Sequence, residues 1–236
     1  MITTPQHSFI QLCETPQACA CAMLPVQQSG DIAFYLSGST KEIRVYDSTM
    51  MSIHSESFIK SHEWVRLSVD LSKILASGDC FCLGFVEEES EEVYYSNLFV
   101  YDALSVNTSL VEYWGASTDN FPFEDDKAKL NSIRLPIIVK SPQPVSESES
   151  YIDGNGRINF PFKTKRQKYS GTTDFMTFDQ HSKFQLALMH GLLRINGFEM
   201  SETGDYKIDW DGKNEEDNTA TATFEVQEQY IIKQRL

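Results

Sequence analysis

Apolar residues in this chain fall mostly in short runs that alternate with polar residues, or in brief apolar blocks. Over residues 64–71, Val or Leu occupies every second position. Successive side chains of a β-strand point to opposite faces, so this alternation is typical of a half-buried strand. The runs are rich in Val, Ile, Phe and Tyr, and the gaps between them carry Gly, Ser, Asp and Pro. They predict strands at Asp31–Leu36, Lys41–Tyr46, Glu63–Leu71, Asp79–Val86, Val93–Tyr101, Ser109–Trp114, Ile133–Val139, Leu192–Ile195, Phe198–Met200, Tyr206–Trp210 and Thr219–Ile232.

One segment has helical spacing instead. Thr177 and Gln180 fit a capping box, in which the two side chains satisfy each other's backbone N–H groups. Apolar residues within 184–188 then share one helix face. We predict one principal α-helix at about 178–190, ended by a left-handed Gly191.

Turn-forming residues divide the rest of the chain. Asn196-Gly197 and Asp211-Gly212 predict hairpin turns. Ser141–Ser150, with two prolines and Ser-Glu repeats, predicts a flexible loop, and Gly115–Lys129 is also irregular. The expected fold is mainly β, with antiparallel β-sandwich-like lobes at 1–105 and 106–236 and the helix in the C-terminal lobe.

Charge and composition exclude several classes of protein. The chain has 236 residues, 41% of them apolar, which is enough for a sizeable core. Its net charge of −14 opposes nucleic-acid phosphates, so we expect no direct nucleic-acid binding. We expect no membrane association, because no window approaches the roughly 20 apolar residues of a spanning helix. The first residues do not resemble a signal peptide, and we expect the protein to stay in the cytoplasm or in a particle assembled there.

Cysteine spacing gives the sharpest hint of a metal. Cys19/Cys21 and Cys80/Cys82 are Cys-x-Cys pairs, with Cys13 a fifth sulfur. Four thiolates would suit zinc, but zinc knuckles usually place two or more residues between ligands, and 80–82 lies in a predicted strand. We therefore favour buried core cysteines and expect no metal, and the odd total favours reduced thiols over a disulfide framework.

Motifs for catalysis are absent from the sequence, so we expect no enzymatic activity and no cofactor. The run 87–92 has five carboxylates but lacks the mixed ligands of a calcium loop, and we interpret it as a solvated turn. The five histidines are scattered, and no nucleophile motif or Gly-rich phosphate loop occurs.

The single basic cluster is the candidate interaction site. It contains Lys163, Lys165, Arg166 and Lys168, and its alternation indicates the exposed face of a strand. Such a strand would suit an acidic neighbouring subunit, with solvated surface as the simpler alternative.

The order of elements after residue 79 resembles the virion tail proteins of Bacteroidetes phages, the crAss-like phages included. The residues that carry the resemblance are, in order, Ser96–Phe99, Val111–Trp114, Ile133–Pro136, Thr172–Met176, Leu186–His190, Ile195–Gly197 and Gln227–Gln229. The resemblance implies a structural virion protein that forms a ring, hub or adaptor in the phage tail. Its expected partners are copies of itself and neighbouring tail or portal-region proteins.

A carbohydrate-binding β-sandwich module for host glycans is the alternative function. Its aromatic platform would come from residues that stack on sugar rings, although aromatics in alternating strands usually belong to the core. The candidates are Tyr94, Tyr95, Tyr101, Tyr113 and Trp114.

Overall fold

In the residues that the structure describes, the computed structural model of this chain has two β-sheets and one α-helix, with 58% of residues in strands. The described strand pairs are antiparallel except for one parallel pair. The structure describes residues 9–10, 12–15, 24–26, 32–35, 39–61, 64–66, 70–102, 104, 107–114, 131–214, 219–229 and 232–234. The predicted mainly-β class with one helix in the C-terminal part is confirmed.

The first sheet has seven strands from the N-terminal half of the chain. Its order is β1-β8-β7-β4-β5, with β9 beside β7 and β2 parallel to β9. The strands are β1 Leu12–Cys13, β2 Leu24–Val26, β4 Ser39–Asp47, β5 Ser52–Ser61, β7 Cys80–Glu87, β8 Val93–Ser96 and β9 Phe99–Tyr101. A short 3-10 helix, Leu71–Lys73, precedes β7.

The second sheet has thirteen strands in the order β12-β14-β19-β17-β16-β10-β11-β3-β6. Strands β13 and β20 also pair with β14, and β15 and β18 also pair with β19. The strands are β3 Ala33–Tyr35, β6 Trp64–Arg66, β10 Ser109–Trp114, β11 Asn131–Leu135, β12 Ile137–Val139, β13 Gln143–Ile152, β14 Ile158–Thr173, β15 Met176–Thr177, β16 Leu192–Ile195, β17 Phe198–Glu202, β18 Lys207–Asn214, β19 Thr219–Glu228 and β20 Ile232–Gln234.

The helix α1 spans Phe178–Leu188 and begins with the predicted capping box. The Thr177 side chain accepts a hydrogen bond from the backbone of Gln180, and the Gln180 side chain accepts one from the backbone of Thr177. Its inner face buries Phe184, whose ring meets that of Phe224 on β19 edge to face at 5.1 Å. The helix thereby covers the core face of β19.

Buried residues from both sheets form one hydrophobic cluster. Strands β3 and β6, which come from the first 105 residues, pair into the second sheet through β11. The division of the chain into lobes at about residue 105 stays a prediction.

Three local predictions are wrong. Ser141–Ser150 is not a flexible loop, because Gln143–Ile152 pairs with β14 along its length. Asp211 and Gly212 lie within β18, where the pairing with β19 shifts register between Asp209 and Asn214. Gly191 does not have a positive φ, and the helix is capped by Met189 in the right-handed region. The turn at Asn196-Gly197 is confirmed, since both residues have positive φ, while the irregular segment 115–129 lies outside the described residues.

Candidate interaction surface

The basic cluster lies on β14, the longest described strand. Adjacent strand residues face opposite sides, so Lys165 and Arg166 point away from each other. Lys165 is exposed, whereas Arg166 donates a hydrogen bond to Gln227 on β19 at 3.5 Å. Lys168 forms an ion pair with Glu225, which also lies on β19, with Nζ and Oε2 2.6 Å apart. Lys165, Arg166 and Lys168 therefore do not all lie on one exposed face, and the side chain of Lys163 lies outside the described residues. The use of this cluster as an interface stays a prediction.

Strands β13 and β14 form a hairpin that extends beyond the rest of the sheet. Among the described strands, β13 pairs with β14 alone. The other side of β14 pairs with β19 at 168–172 and with β20 at 163–165, but residues 158–162 pair with β13 alone among the described strands. At roughly 3.3 Å per residue, this two-stranded stretch is about 17 Å long. We call the hairpin 143–168 the arm.

The tip of the arm is apolar and exposed. Ile152 and Ile158 lie opposite each other at the last pair of the hairpin and are 70% and 62% exposed, and Tyr151 is 57% exposed. The turn that follows is closed by Asp153, whose backbone N–H donates to the Arg157 carbonyl at 2.9 Å. Apolar side chains this exposed at the end of a protruding hairpin are typical of a contact surface.

An acidic cleft of about 640 Å³ opens between the helix and the connection from β17 to β18. Burial, followed by the nearby charge of Asp205, raises the pKa of Glu202 in this cleft. The cleft is lined by Gln185, Glu202, Thr203, Gly204, Asp205 and Tyr206. The lining has two carboxylates and no basic side chain, so it favours a cationic partner.

Two exposed apolar side chains lie on the helix face that carries Gln185 of the cleft. Phe178, Gln185 and Met189 lie at spacings of seven and four residues, so they share one helix face. Phe178 and Met189 are each 61% exposed. We call this face together with Glu202 and Asp205 the helix–cleft surface.

Behind the cleft, His181 is fully buried and holds the helix against β19. Its Nε2–H donates to the Ala220 carbonyl at 2.9 Å, and its Nδ1 shares a hydrogen bond of 2.6 Å with the Tyr206 hydroxyl. The carbonyl is an acceptor only, so the ring carries a proton on Nε2. Burial lowers the pKa of His181, which favours the neutral ring with Nδ1 accepting from the Tyr206 hydroxyl. The residue therefore has a structural role as a neutral buried histidine.

We expect this histidine to make stability depend on pH. Its pKa is lower in the folded state, so below about pH 6.5 the unfolded chain binds more protons than the folded chain. The free energy of unfolding should be unaffected by His181 above that pH and fall at lower pH by up to about 1.4 kcal/mol per unit. Urea unfolding of the wild type and His181→Gln between pH 7.5 and 5 measures the difference. If the free energy of unfolding of the wild type depends on pH no more than that of the variant, this role of His181 is contradicted.

Two predicted sites have structural explanations. The acidic run is the predicted turn, with β7 ending at Glu87 and β8 beginning at Val93. Of the aromatic residues considered for sugar stacking, Tyr94, Tyr101 and Tyr113 are buried, between 2% and 7% exposed, and cannot form an open platform. Tyr95 is half-buried and packs against Tyr46 with ring centroids 5.4 Å apart, and the side chain of Trp114 lies outside the described residues.

The cysteines differ from the expectation of five reduced thiols. Cys13 is disulfide-bonded, whereas Cys80 and Cys82 are reduced thiols. Cys82 is buried in β7, and desolvation raises its pKa to about 11, so it is a core thiol as predicted. The residues Cys19 and Cys21 lie outside the described residues.

We expect the fold to be independent of metal. Within the described part of the chain, no group of three or more His, Cys, Asp or Glu side chains is placed to hold an ion. Exhaustive treatment with EDTA should leave the Tm unchanged, and elemental analysis of the purified chain should find no stoichiometric zinc. A fall in Tm that added zinc reverses would contradict this prediction.

The chain matches no protein-family model, and it matches none of the curated proteins or solved structures compared with it. No described helix has both the length and the apolar character needed to cross a membrane. The basic strand is visible in the sequence, whereas the arm tip and the acidic cleft are not. The alternation of Ser and Glu over 146–150 was the one available signal of a strand in β13.

Proposed function

We propose that this protein is a structural component of a bacteriophage tail that assembles as a ring or adaptor through protein–protein contacts. Its partners are other copies of the chain and neighbouring tail or portal-region proteins, and its location is the virion, assembled in the host cytoplasm. The order of elements after residue 79 resembles that of phage tail proteins. This resemblance supports the phage tail as the particle to which the chain belongs.

The arm is the observation that carries the proposal. A two-stranded hairpin is only marginally stable by itself. Three large apolar side chains exposed at its end are unfavourable, because burying apolar surface away from water lowers the free energy. A neighbouring protein that covers the tip removes this unfavourable exposure. Among the described strands only β14 pairs with β13, so the other edge of β13 offers a further contact to which a strand of a partner can be added.

The proposal is tested by an inventory of purified phage particles. Mass spectrometry of intact virions should detect the chain in multiple copies per particle, and imaging of the tail should place those copies around one axis. Virions that lack the chain, or that contain it as isolated single copies, would contradict the ring.

Charge reversal in the basic cluster provides a prediction on assembly. Lys165→Glu together with Arg166→Glu should weaken incorporation into particles roughly tenfold, because interface charges set orientation and rate of association. Quantitative mass spectrometry of particles formed with an equal mixture of variant and wild-type chains measures the ratio. An unchanged circular dichroism spectrum shows that the fold is retained.

The single variant Lys165→Glu is the more informative of the two, since Arg166 also contacts Gln227 within the fold. Lys73→Glu serves as the matched control, because Lys73 has an exposed side chain outside the arm. Equal losses for Lys165→Glu and Lys73→Glu would show that total charge, rather than the arm, determines incorporation.

A further inference from the structure

We propose that the arm of one copy binds the helix–cleft surface of a second copy, so that copies of the chain join head to tail. The inference rests on the proposed function and specifies the partner and the two surfaces used for assembly.

The two surfaces match in chemistry. The arm combines an apolar tip, with Ile152 and Ile158, and a basic strand, with exposed Lys165. The helix–cleft surface combines exposed Phe178 and Met189 with an acidic cleft. Apolar side chains at the centre of such a contact would supply affinity, and the opposite charges would fix the register.

The charge distribution along the chain favours a second copy as the partner. The arm contains five basic residues, all within 157–168, and three acidic ones, Glu147, Glu149 and Asp153, so its net charge is +2. The rest of the chain carries a net charge of −16, against −14 for the whole chain. The basic strand of one copy is therefore attracted to the body of the next, while the two bodies repel each other in other orientations.

The acidic cleft gains from a cation. Glu202 and Asp205 lie close enough for the charge of Asp205 to raise the pKa of Glu202. A lysine side chain placed between two such carboxylates reduces their repulsion. Lys165 offers such a charge, because its side chain is exposed on the arm.

The tip of the arm cannot reach the cleft of its own copy. Gly204 and Asp205, which line the cleft, also border Ser170 and Gly171 on β14. The tip at Ile158 lies 12 residues away along the same strand, which corresponds to about 40 Å. A contact between the tip and the cleft therefore joins two molecules. Such a contact is heterologous, and it generates a ring when the rotation between copies closes.

A photo-crosslinking experiment on the full chain tests the contact. The photoreactive residue benzoylphenylalanine replaces Ile158, and both the purified protein and virions carrying this variant are irradiated. We expect a cross-link between two copies of the chain that maps to 178–189 or 202–206. The control places the same residue at Phe198, an equally exposed apolar position on the hairpin between β16 and β17, and should give little of this product.

Charge exchange then tests the register. Asp205→Lys should reduce the yield of the chain-to-chain product on the order of tenfold, because like charges then face each other across the contact. Adding Lys165→Glu to Asp205→Lys should restore most of the yield. Loss of yield without restoration would overturn the pairing of these two side chains.

The remaining outcomes separate this inference from the proposed function. If position 158 in virions cross-links only to a different protein, or to nothing, the head-to-tail contact is wrong, while the protein remains a virion component. Virions without the chain would contradict the proposed function, and cross-linking of the purified protein would then decide the head-to-tail contact by itself.

Discussion

Replacing Phe224 with alanine should lower the free energy of unfolding by about 3–5 kcal/mol. The Phe224 side chain is 1% exposed and packs edge to face against Phe184 of the helix. Its ring also lies directly against Gly171 of β14, where a Cβ atom would come within 2.1 Å of it. Removing the ring therefore creates a cavity where the helix, β14 and β19 meet. Urea denaturation of the variant and the wild type measures the loss.

Two further variants distinguish the packing at this point from a general effect of losing a phenylalanine. Phe198→Ala, at a 59% exposed position, should change stability by no more than about 0.5 kcal/mol. Gly171→Ala should destabilise the wild type through the clash but cost less in the Phe224→Ala background, with a coupling on the order of 1–3 kcal/mol. Additive effects of the two substitutions would show that the ring does not fill the space above Gly171.

The strands and the helix could be predicted where the local pattern and the tertiary environment agree. In β7 and β10 the apolar runs coincide with burial, and the Thr177–Gln180 box is a local hydrogen-bond pattern that depends on few other residues. The Asn196-Gly197 turn was predictable for the same reason, because Asn and Gly tolerate the positive φ that a two-residue hairpin requires.

Strand β13 could not be predicted from its own residues. Prolines and Ser-Glu repeats have low strand propensity, and the segment is kept extended by its pairing with β14. Pro144 is tolerated because β13 is an edge strand, where a missing N–H can face solvent. The Ser-Glu alternation over 146–150 is the only local signal of the strand, and the partner that keeps it extended follows later in the chain.

The candidate site was predictable only in part, for a related reason. The basic residues on β14 are adjacent in sequence and were visible as a cluster. The cleft instead joins Gln185 of the helix to Glu202 and Asp205, which are 17 or more residues away in the chain. Their proximity is a product of the tertiary fold, as is the exposure of Ile152 and Ile158 at the end of the arm.

The double variant Ile152→Asp/Ile158→Asp should prevent the chain from entering phage particles. The two side chains face each other at the last pair of the hairpin, where no other described strand covers them. Buried apolar anchors at the centre of an interface commonly contribute 2 kcal/mol or more, so we expect incorporation to fall at least roughly 30-fold in competition with the wild type. Peptide counts from particles formed with equal amounts of both chains give the ratio.

This variant separates assembly from folding, because both positions are more than 60% exposed and contribute little to the core. The Tm of the purified variant should therefore stay within about 2 °C of the wild type, as expected for surface substitutions. Phe198→Asp is the control for an exposed apolar side chain replaced by a carboxylate, since it adds one such charge, against two in the double variant, at a comparably exposed hairpin position and should leave incorporation unchanged. If Ile152→Asp/Ile158→Asp chains enter particles as efficiently as Phe198→Asp chains, the tip is not covered in the particle and another surface carries assembly.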